Sequence, residues 1–368
     1  ADPASPLTSH SASEYRTGWR AVHGSVWALG FVSMLMDISS EMIHALLPLY
    51  MVTVLGTSVF AVGLIEGIAE ATASVVKVFS GALSDRLGKR KLLAALGYGL
   101  GALTKAVFPL SDSLRWLIGA RFVDRVGKGI RSAPRDALVA DVTPPELRGA
   151  AYGLRQALDV VGAFTGPLLA IGLMWLTAGH FQAVFWIAVI PAFLAAAVLL
   201  VFVHEPKQPT AAQPCAPLSR AALARLDAGY WWVVGVGVVF TLARFSEAFL
   251  ILRAGEAGLS PISAPLVLVL MGIAFSLSAY PAGALSDRVS RVIVLVVGIG
   301  VLIAADLVLA FVPGLAGLAV GVVLWGLHMG CTQGVFAALV AERAPAELRG
   351  TAFGVFHLLT GRPPFSGS

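Results

Sequence analysis

The sequence predicts an all-α membrane protein made of two parallel repeats of six helices each, the second incomplete, giving about ten full spans and a partial eleventh. Three observations carry this. Gly81-Ala-Leu-Ser-Asp-Arg86 returns as Gly283-Ala-Leu-Ser-Asp-Arg288, and Val139-Ala-Asp-Val-Thr-Pro-Pro-Glu-Leu-Arg-Gly-Ala-Ala-Tyr-Gly153 returns as Val340-Ala-Glu-Arg-Ala-Pro-Ala-Glu-Leu-Arg-Gly-Thr-Ala-Phe-Gly354 at nearly the same offset. Of the 368 residues 57% are hydrophobic and 13% charged, with a mean hydropathy of +0.83, so most of the surface must meet something other than water. The apolar residues also fall in runs of about 20, the length that crosses a hydrocarbon core at 1.5 Å per residue.

Taken in order, residues 1–24 form a polar lead carrying Arg16 and Arg20, with no cleavage site behind it. Spans are read at 25–54, 59–83, 92–110, 114–136, 149–177 and 182–204, which makes 25–204 the first six-helix bundle. Residues 205–228, rich in Pro, Ala and Gln, form a linker. The second bundle, 229–360, holds spans at 229–253, 262–285, 291–312 and 315–341 and an eleventh that starts at Gly350. At 361–368 the chain turns abruptly polar, which reads as the end of a fragment or a foreign tail; by the repeat, the parent should continue through the eleventh span and a twelfth. Loops this short leave helices as the plausible structure, because open sheet edges cannot be satisfied in lipid.

The net charge of +5 does not indicate nucleic acid, since the charges sit in short clusters between apolar runs. Arg86/Lys89/Arg90/Lys91, Arg148/Arg155, Lys207/Arg220/Arg225, Arg288/Arg291 and Arg343/Arg349 fall on alternate connections, while Leu55 to Ser58, Pro109 to Ser113 and Val312 to Gly314 carry almost no basic charge. By the positive-inside rule the first set is cytoplasmic, as are the N terminus and the central linker. Cys215 and Cys331 do not suggest a disulfide framework.

Ionisable groups within spans are costly in lipid and so mark function. Asp37, Glu41 and His44 are spaced i, i+4, i+7 on one stripe of span one, where two carboxylates a turn apart could carry a proton or neutralise the basic stripe of span four. Span four sets Arg121, Arg125, Lys128 and Arg135 on one face, with Asp124, Arg131 and Asp136 beside them. Glu66, Glu70 and Lys77 in span two read as a salt-bridge network. Span seven offers Arg244 and Glu247, and Ser246-Glu247 aligns with Ser40-Glu41 of span one. Asp159 reads as a functional partner of the arginines, and Asp306 as a structural pair member. His328, Met329, Cys331 and Gln333 form a soft-ligand patch that, with His44, keeps a transition metal in view. The chain lacks GxxxxGK[ST], HExxH and GxSxG, so neither a nucleotide engine nor an enzyme is expected, and no cofactor.

Gly81 to Lys91, followed by its degenerate copy at Gly283 to Arg291, resembles the loop between helices 2 and 3, and its repeat between helices 8 and 9, of the major facilitator superfamily. The resemblance spans essentially the whole chain. In the loop Gly81 and Gly88 permit close approach and a tight turn, and Asp85 can sit at a neighbouring helix N-terminus or against an arginine. Arg86, Lys89, Arg90 and Lys91 set topology, and the resemblance implies a gating role for them, as for Gly283, Asp287 and Arg288. Gly153, Gly162, Gly166 and Pro167 in span five look like the signature of drug and proton antiporters, although Ala170 and Ile171 stand where it has glycines. Arg121 resembles the helix-four arginine used in proton transfer or substrate contact, and Arg131 resembles a gating residue. Met36 to Met42 together with Asp124 to Asp136 is similar to a prokaryotic permease branch that includes nickel-resistance members. The resemblance thus implies the major facilitator fold and an ion-gradient-driven secondary transporter, a monomer in the lipid bilayer. Its leading mode is proton-coupled export of a small organic solute, metal ion or complex; the alternatives are uptake of a small organic anion and, remotely, an intramembrane enzyme.

Overall fold

A computed structural model of the chain describes residues 22–111, 113–205, 218–244, 248–259, 264 and 266–361. Among them lie α1 (Gly24–Thr53), α2 (Val59–Leu87), α3 (Arg90–Val107), α4 (Leu114–Asp141), α5 (Arg148–Leu176), α6 (Phe181–Phe202), α7 (Arg220–Leu223), α8 (Ala228–Ala243), α9 (Ala248–Glu256), α10 (Leu266–Ser286), α11 (Arg291–Phe311), α12 (Gly314–Arg343) and α13 (Arg349–Thr360). No strand occurs among the described residues. Span seven, expected to run unbroken over 229–253, is instead divided between α8 and α9, and Glu247 lies outside the described residues between them.

Local sequence sets the helix ends. Ser58 Oγ accepts from Ala61 N at 3.2 Å to open α2, and Asp227 does the same for Tyr230 N at 2.7 Å to open α8, each satisfying an otherwise orphaned donor. Gly88 ends α2 in the left-handed region at φ 61°, a conformation that a β-carbon would strain.

Among the described residues, eight helices are long and apolar enough to cross a membrane. Their outward faces carry exposed Phe60, Leu103, Leu194 and Val296, as lipid contact requires. The 28-residue α4 fails on apolarity, yet Arg121, Asp124, Arg125, Arg131 and Asp136 are all buried, so its charge points into the bundle.

In the first half α1 packs on α5 and α6, α3 on α4 and α6, and α2 on α4; in the second, α12 packs on α10 and α11. Two large contacts cross between the halves, α5 on α10 and α2 on α13. In the repeat α13 is the counterpart of α5 and α10 that of α2, so the same pairing is used twice with the halves exchanged. Because lipid gives no hydrophobic drive for helices to associate, these crossings depend on backbone approach at small residues. A β-carbon on Gly81 would collide with the carbonyl of Gly350, and one on Gly283 with that of Gly149.

Candidate functional site

The duplicated loops form a pair of latches at one end of the molecule. Asp85, at the end of α2, accepts from Gly350 N at 2.9 Å, Thr351 N at 2.6 Å and Thr351 Oγ1 at 2.7 Å, capping the N-terminus of α13 in the other half. Asp287, at the end of α10, accepts from Gly149 N at 2.8 Å and Ala150 N at 2.7 Å at the start of α5. An anion at a helix N-terminus meets unpaired N–H groups and the positive end of the dipole. The first latch is the more heavily tied. Arg90 is buried and reaches Asp85 Oδ1 (3.2 Å), the carbonyl of Ala346 (2.7 Å) and Asp141, while Asp141 also takes Arg349 at 2.9 Å. In the second copy Arg291 pairs with Asp287 at 3.2 Å and with Glu342. Arg86 and Arg288 are exposed.

Deeper in the first half lies a buried ionic network. Lys105 Nζ of α3 donates to Asp124 Oδ1 of α4 at 2.7 Å, and both are sealed from solvent. Arg121 pairs with Glu66, and Arg125 with Glu70 at 3.0 Å. Arg125 Nη2 also donates to the His44 ring, 2.6 Å from Nε2. His44 in turn stands 3.6 Å from Asp124 Oδ2 and 3.5 Å from Glu41 Oε1. Asp37, one turn before Glu41, faces the charges of Asp159, Arg131 and Lys128. Arg131 lies over the Tyr98 ring at 4.7 Å. Gly162 and Gly166 bring α5 against α1, where β-carbons would meet the Met34 carbonyl and Glu41 Cβ, and Gly153 brings α5 against the Ala279 carbonyl of α10.

Two cavities flank these elements. One, of about 520 Å³, is walled by Phe164, Pro167, Met271, Phe275 and Met329 from α5, α10 and α12, and Glu41 is the carboxylate on its lining. The other, of about 190 Å³, lies between the halves, with Asp136, Arg155 and Gln156 on one side and Arg244, Gln333 and His357 on the other. At its edge Asp159 pairs with Arg155 at 3.3 Å and Arg135 at 3.6 Å, and His357 Nε2 of α13 lies 2.8 Å from Asp136 Oδ2 of α4.

The sequence matches the Major Facilitator Superfamily over residues 29–367. The chain belongs to that superfamily. An MFS-type transporter of Methanocaldococcus jannaschii is 32% identical over 350 residues, covering 93% of this chain and 86% of the relative. The multidrug resistance protein MdtH of Photorhabdus laumondii is 30% identical over 162 residues, 42% of this chain and 38% of its own. Among solved structures, the Major Facilitator Superfamily transporter FucP in its outward conformation superimposes with a TM-score of 0.75 at 19% identity, covering 91% of this chain and 89% of FucP. As a superfamily member the protein is an integral membrane transporter with the major facilitator fold.

Within that fold the superfamily loop motif sits at both latches, and Asp37, Glu41, His44, Arg121 and Arg125 share one region of the first half. The candidate metal ligands are not assembled: His44 is engaged by Arg125, whereas His328 meets the Gly298 carbonyl at 2.8 Å and stacks on Phe240. Among the described residues no three His, Cys, Asp or Glu side chains are grouped to hold a metal ion. Asp306, expected to be paired, leaves Oδ1 buried without a hydrogen-bond partner. Sequence reasoning missed Lys105, Asp141 and His357. Lys105 was visible as a lone charge in an apolar run, but nothing in the sequence pairs His357 with a residue 221 positions away.

Proposed function

We propose that the protein is an ion-gradient-driven exporter of a small organic solute in exchange for protons. The observation that supports this best is the double position of Glu41. One side of it meets His44, which leads to Asp124 and Lys105; the other lines the apolar cavity. A single carboxylate open to both a proton and a solute serves them in turn, and mutually exclusive occupancy is what exchange needs. Apolar and aromatic walls around one carboxylate suit an amphipathic solute, a positively charged one above all. MdtH, similar over part of the chain, is by name a multidrug resistance protein, which is in keeping with export. Asp37, Asp159, Arg121 and Arg125 set the field around Glu41 and serve as the proton pathway. The second reading, uptake of a small organic anion, draws on Arg155 and Arg244 at the cavity between the halves.

The reading places the latch end, the N terminus and the central linker in the cytoplasm, because the basic clusters lie there. With both latches made, the structure is then closed to the cytoplasm. The test of orientation uses cysteines at Lys89 and Ser290, which are exposed, in place of native Cys215 and Cys331. They should react with a membrane-impermeant maleimide only after access to the cytoplasmic face; labelling from outside intact cells would overturn it. The test of function is proton flux in proteoliposomes on addition of tetraphenylphosphonium, organic acids or divalent metals. Export by exchange predicts proton movement opposite to that of the organic cation. Proton movement together with an organic acid would favour the uptake reading.

A further inference from the structure

Arg131 is held differently from the other buried arginines of α4. Arg121 and Arg125 each meet a glutamate of α2, whereas Arg131 lies against α3 with its guanidinium 4.7 Å above the Tyr98 ring. Two glycines beside Tyr98 make the room. A β-carbon on Gly97 would fall 2.7 Å from Arg131 N, and one on Gly101 would fall 3.1 Å from Arg131 Nη1. Nη1 is buried and has no hydrogen-bond partner among the described residues; a strong donor left unused in this way costs stability and calls for a reason. Tyr98 is itself fixed: it is fully buried, and its hydroxyl lies 3.2 Å from Ser33 Oγ of α1, which also accepts from Arg135 Nη1 at 2.8 Å.

The carboxylate that this arrangement concerns is Asp37. It is faced by Glu41 on its own helix, by Arg131 and Lys128 of α4 and by Asp159 of α5. Of the other helices against α1, α6 carries no charged residue, and Lys105 of α3 takes Asp124. On α2, Glu66 and Glu70 are taken by Arg121 and Arg125, and Lys77 faces Glu70 and Asp136. We propose that Tyr98 is a positioning residue, whose ring holds the Arg131 guanidinium away from Asp37 and so leaves Asp37 able to take up and give off the exchanged proton. A guanidinium in direct contact keeps an aspartate ionised, which would withdraw it from a proton pathway. The same guanidinium on an aromatic face is stabilised without an anion. Asp159, a like charge, then favours proton uptake at Asp37. Because α1, α3, α4 and α5 all belong to the first half, parting of the halves does not by itself separate these groups.

The inference rests on Asp37 belonging to the proton pathway of the proposed function. It is tested by infrared titration of the whole protein in nanodiscs, with neither solute nor pH gradient, following the carbonyl band of protonated Asp37, which is the band that Asp37→Asn lacks. Tyr98→Leu removes the ring and lets Arg131 reach the carboxylate, so the midpoint at which the band is lost on raising the pH should fall by about one to three units. Tyr98→Phe keeps the ring and should keep the midpoint of the parent. Gly101→Ala, whose β-carbon would press on Arg131 Nη1 from 3.1 Å without removing any side chain, should move the midpoint in the same direction as Tyr98→Leu. With Arg131→Gln already in place, Tyr98→Leu should cause no further fall, because the ring acts through the guanidinium. An unmoved midpoint in either Tyr98→Leu or Gly101→Ala, or a fall in Tyr98→Phe or in the Arg131→Gln background as large as that in Tyr98→Leu alone, would overturn the proposal. So would the absence of an Asp37 band in the parent. Because no transport is measured, failure of the exchange mechanism at Glu41 would leave these outcomes intact.

Discussion

Asp124→Leu is expected to destabilise the protein by about 3–5 kcal/mol, the cost of removing one partner from a buried ion pair. The change leaves the Lys105 ammonium without its 2.7 Å carboxylate in a site closed to water, and it takes away the anion that stands 3.9 Å from both Arg121 and Arg125. Lys105→Met combined with Asp124→Leu should restore much of the loss, because two apolar side chains of similar volume remove both desolvation costs together. Thermal unfolding in detergent measures both proteins. A single variant as stable as the parent, or a double variant no better than the single, would show that the pair is not what holds α3 to α4.

Gly81→Val should open the first latch. A β-carbon at residue 81 falls on the carbonyl oxygen of Gly350, and backbone on both sides leaves no flexible side chain to yield. Moving α2 from α13 breaks the bonds from Gly350 N, Thr351 N and Thr351 Oγ1 to Asp85. A hydrogen bond to a charged group contributes about 1.5–3 kcal/mol, so losing one alone shifts the closed-to-open ratio by roughly tenfold to a hundredfold. Ser84 is fully buried in this latch and reports on it. Ser84→Cys should react with a maleimide at least about tenfold faster in the Gly81→Val background. Ser286, equally buried against the second latch, should report in the same way on Gly283→Val. Unchanged labelling rates would mean that the glycines do not set the approach of the halves.

The fold was legible because a membrane leaves a chain few choices. Apolar runs long enough to span and a duplicated GALSDR segment together give the helices and the pseudo-symmetry. The capping of a distant helix by Asp85 was half legible: its residue type and the flanking glycines name a helix N-terminus or an arginine as its partner, and the structure supplies both, in Gly350–Thr351 and in Arg90. What periodicity could not give is pairing between helices. The stripe Asp37, Glu41, His44 suggests carboxylates set against the basic residues of α4; Asp37 does face Arg131 and Lys128, but Arg121 and Arg125 take Glu66 and Glu70 of α2, and Glu41 is joined through His44. Lys105 and His357 were overlooked because each stands alone in its span, and a lone charge acquires meaning only from a partner on another helix. The break between α8 and α9 was invisible for a related reason: hydropathy averages over the window and registers no interruption of the backbone.

The most direct measurement is proton movement with and without the Glu41 carboxylate. In proteoliposomes loaded with a pH indicator, the parent should couple an imposed pH gradient to accumulation of tetraphenylphosphonium. Glu41→Gln should abolish that accumulation, and the proton flux the cation elicits, while the variant folds as the parent does. Glu41→Asp should retain part of both. Gradient-driven accumulation in Glu41→Gln equal to that of the parent would show that exchange does not run through this carboxylate and would contradict the account.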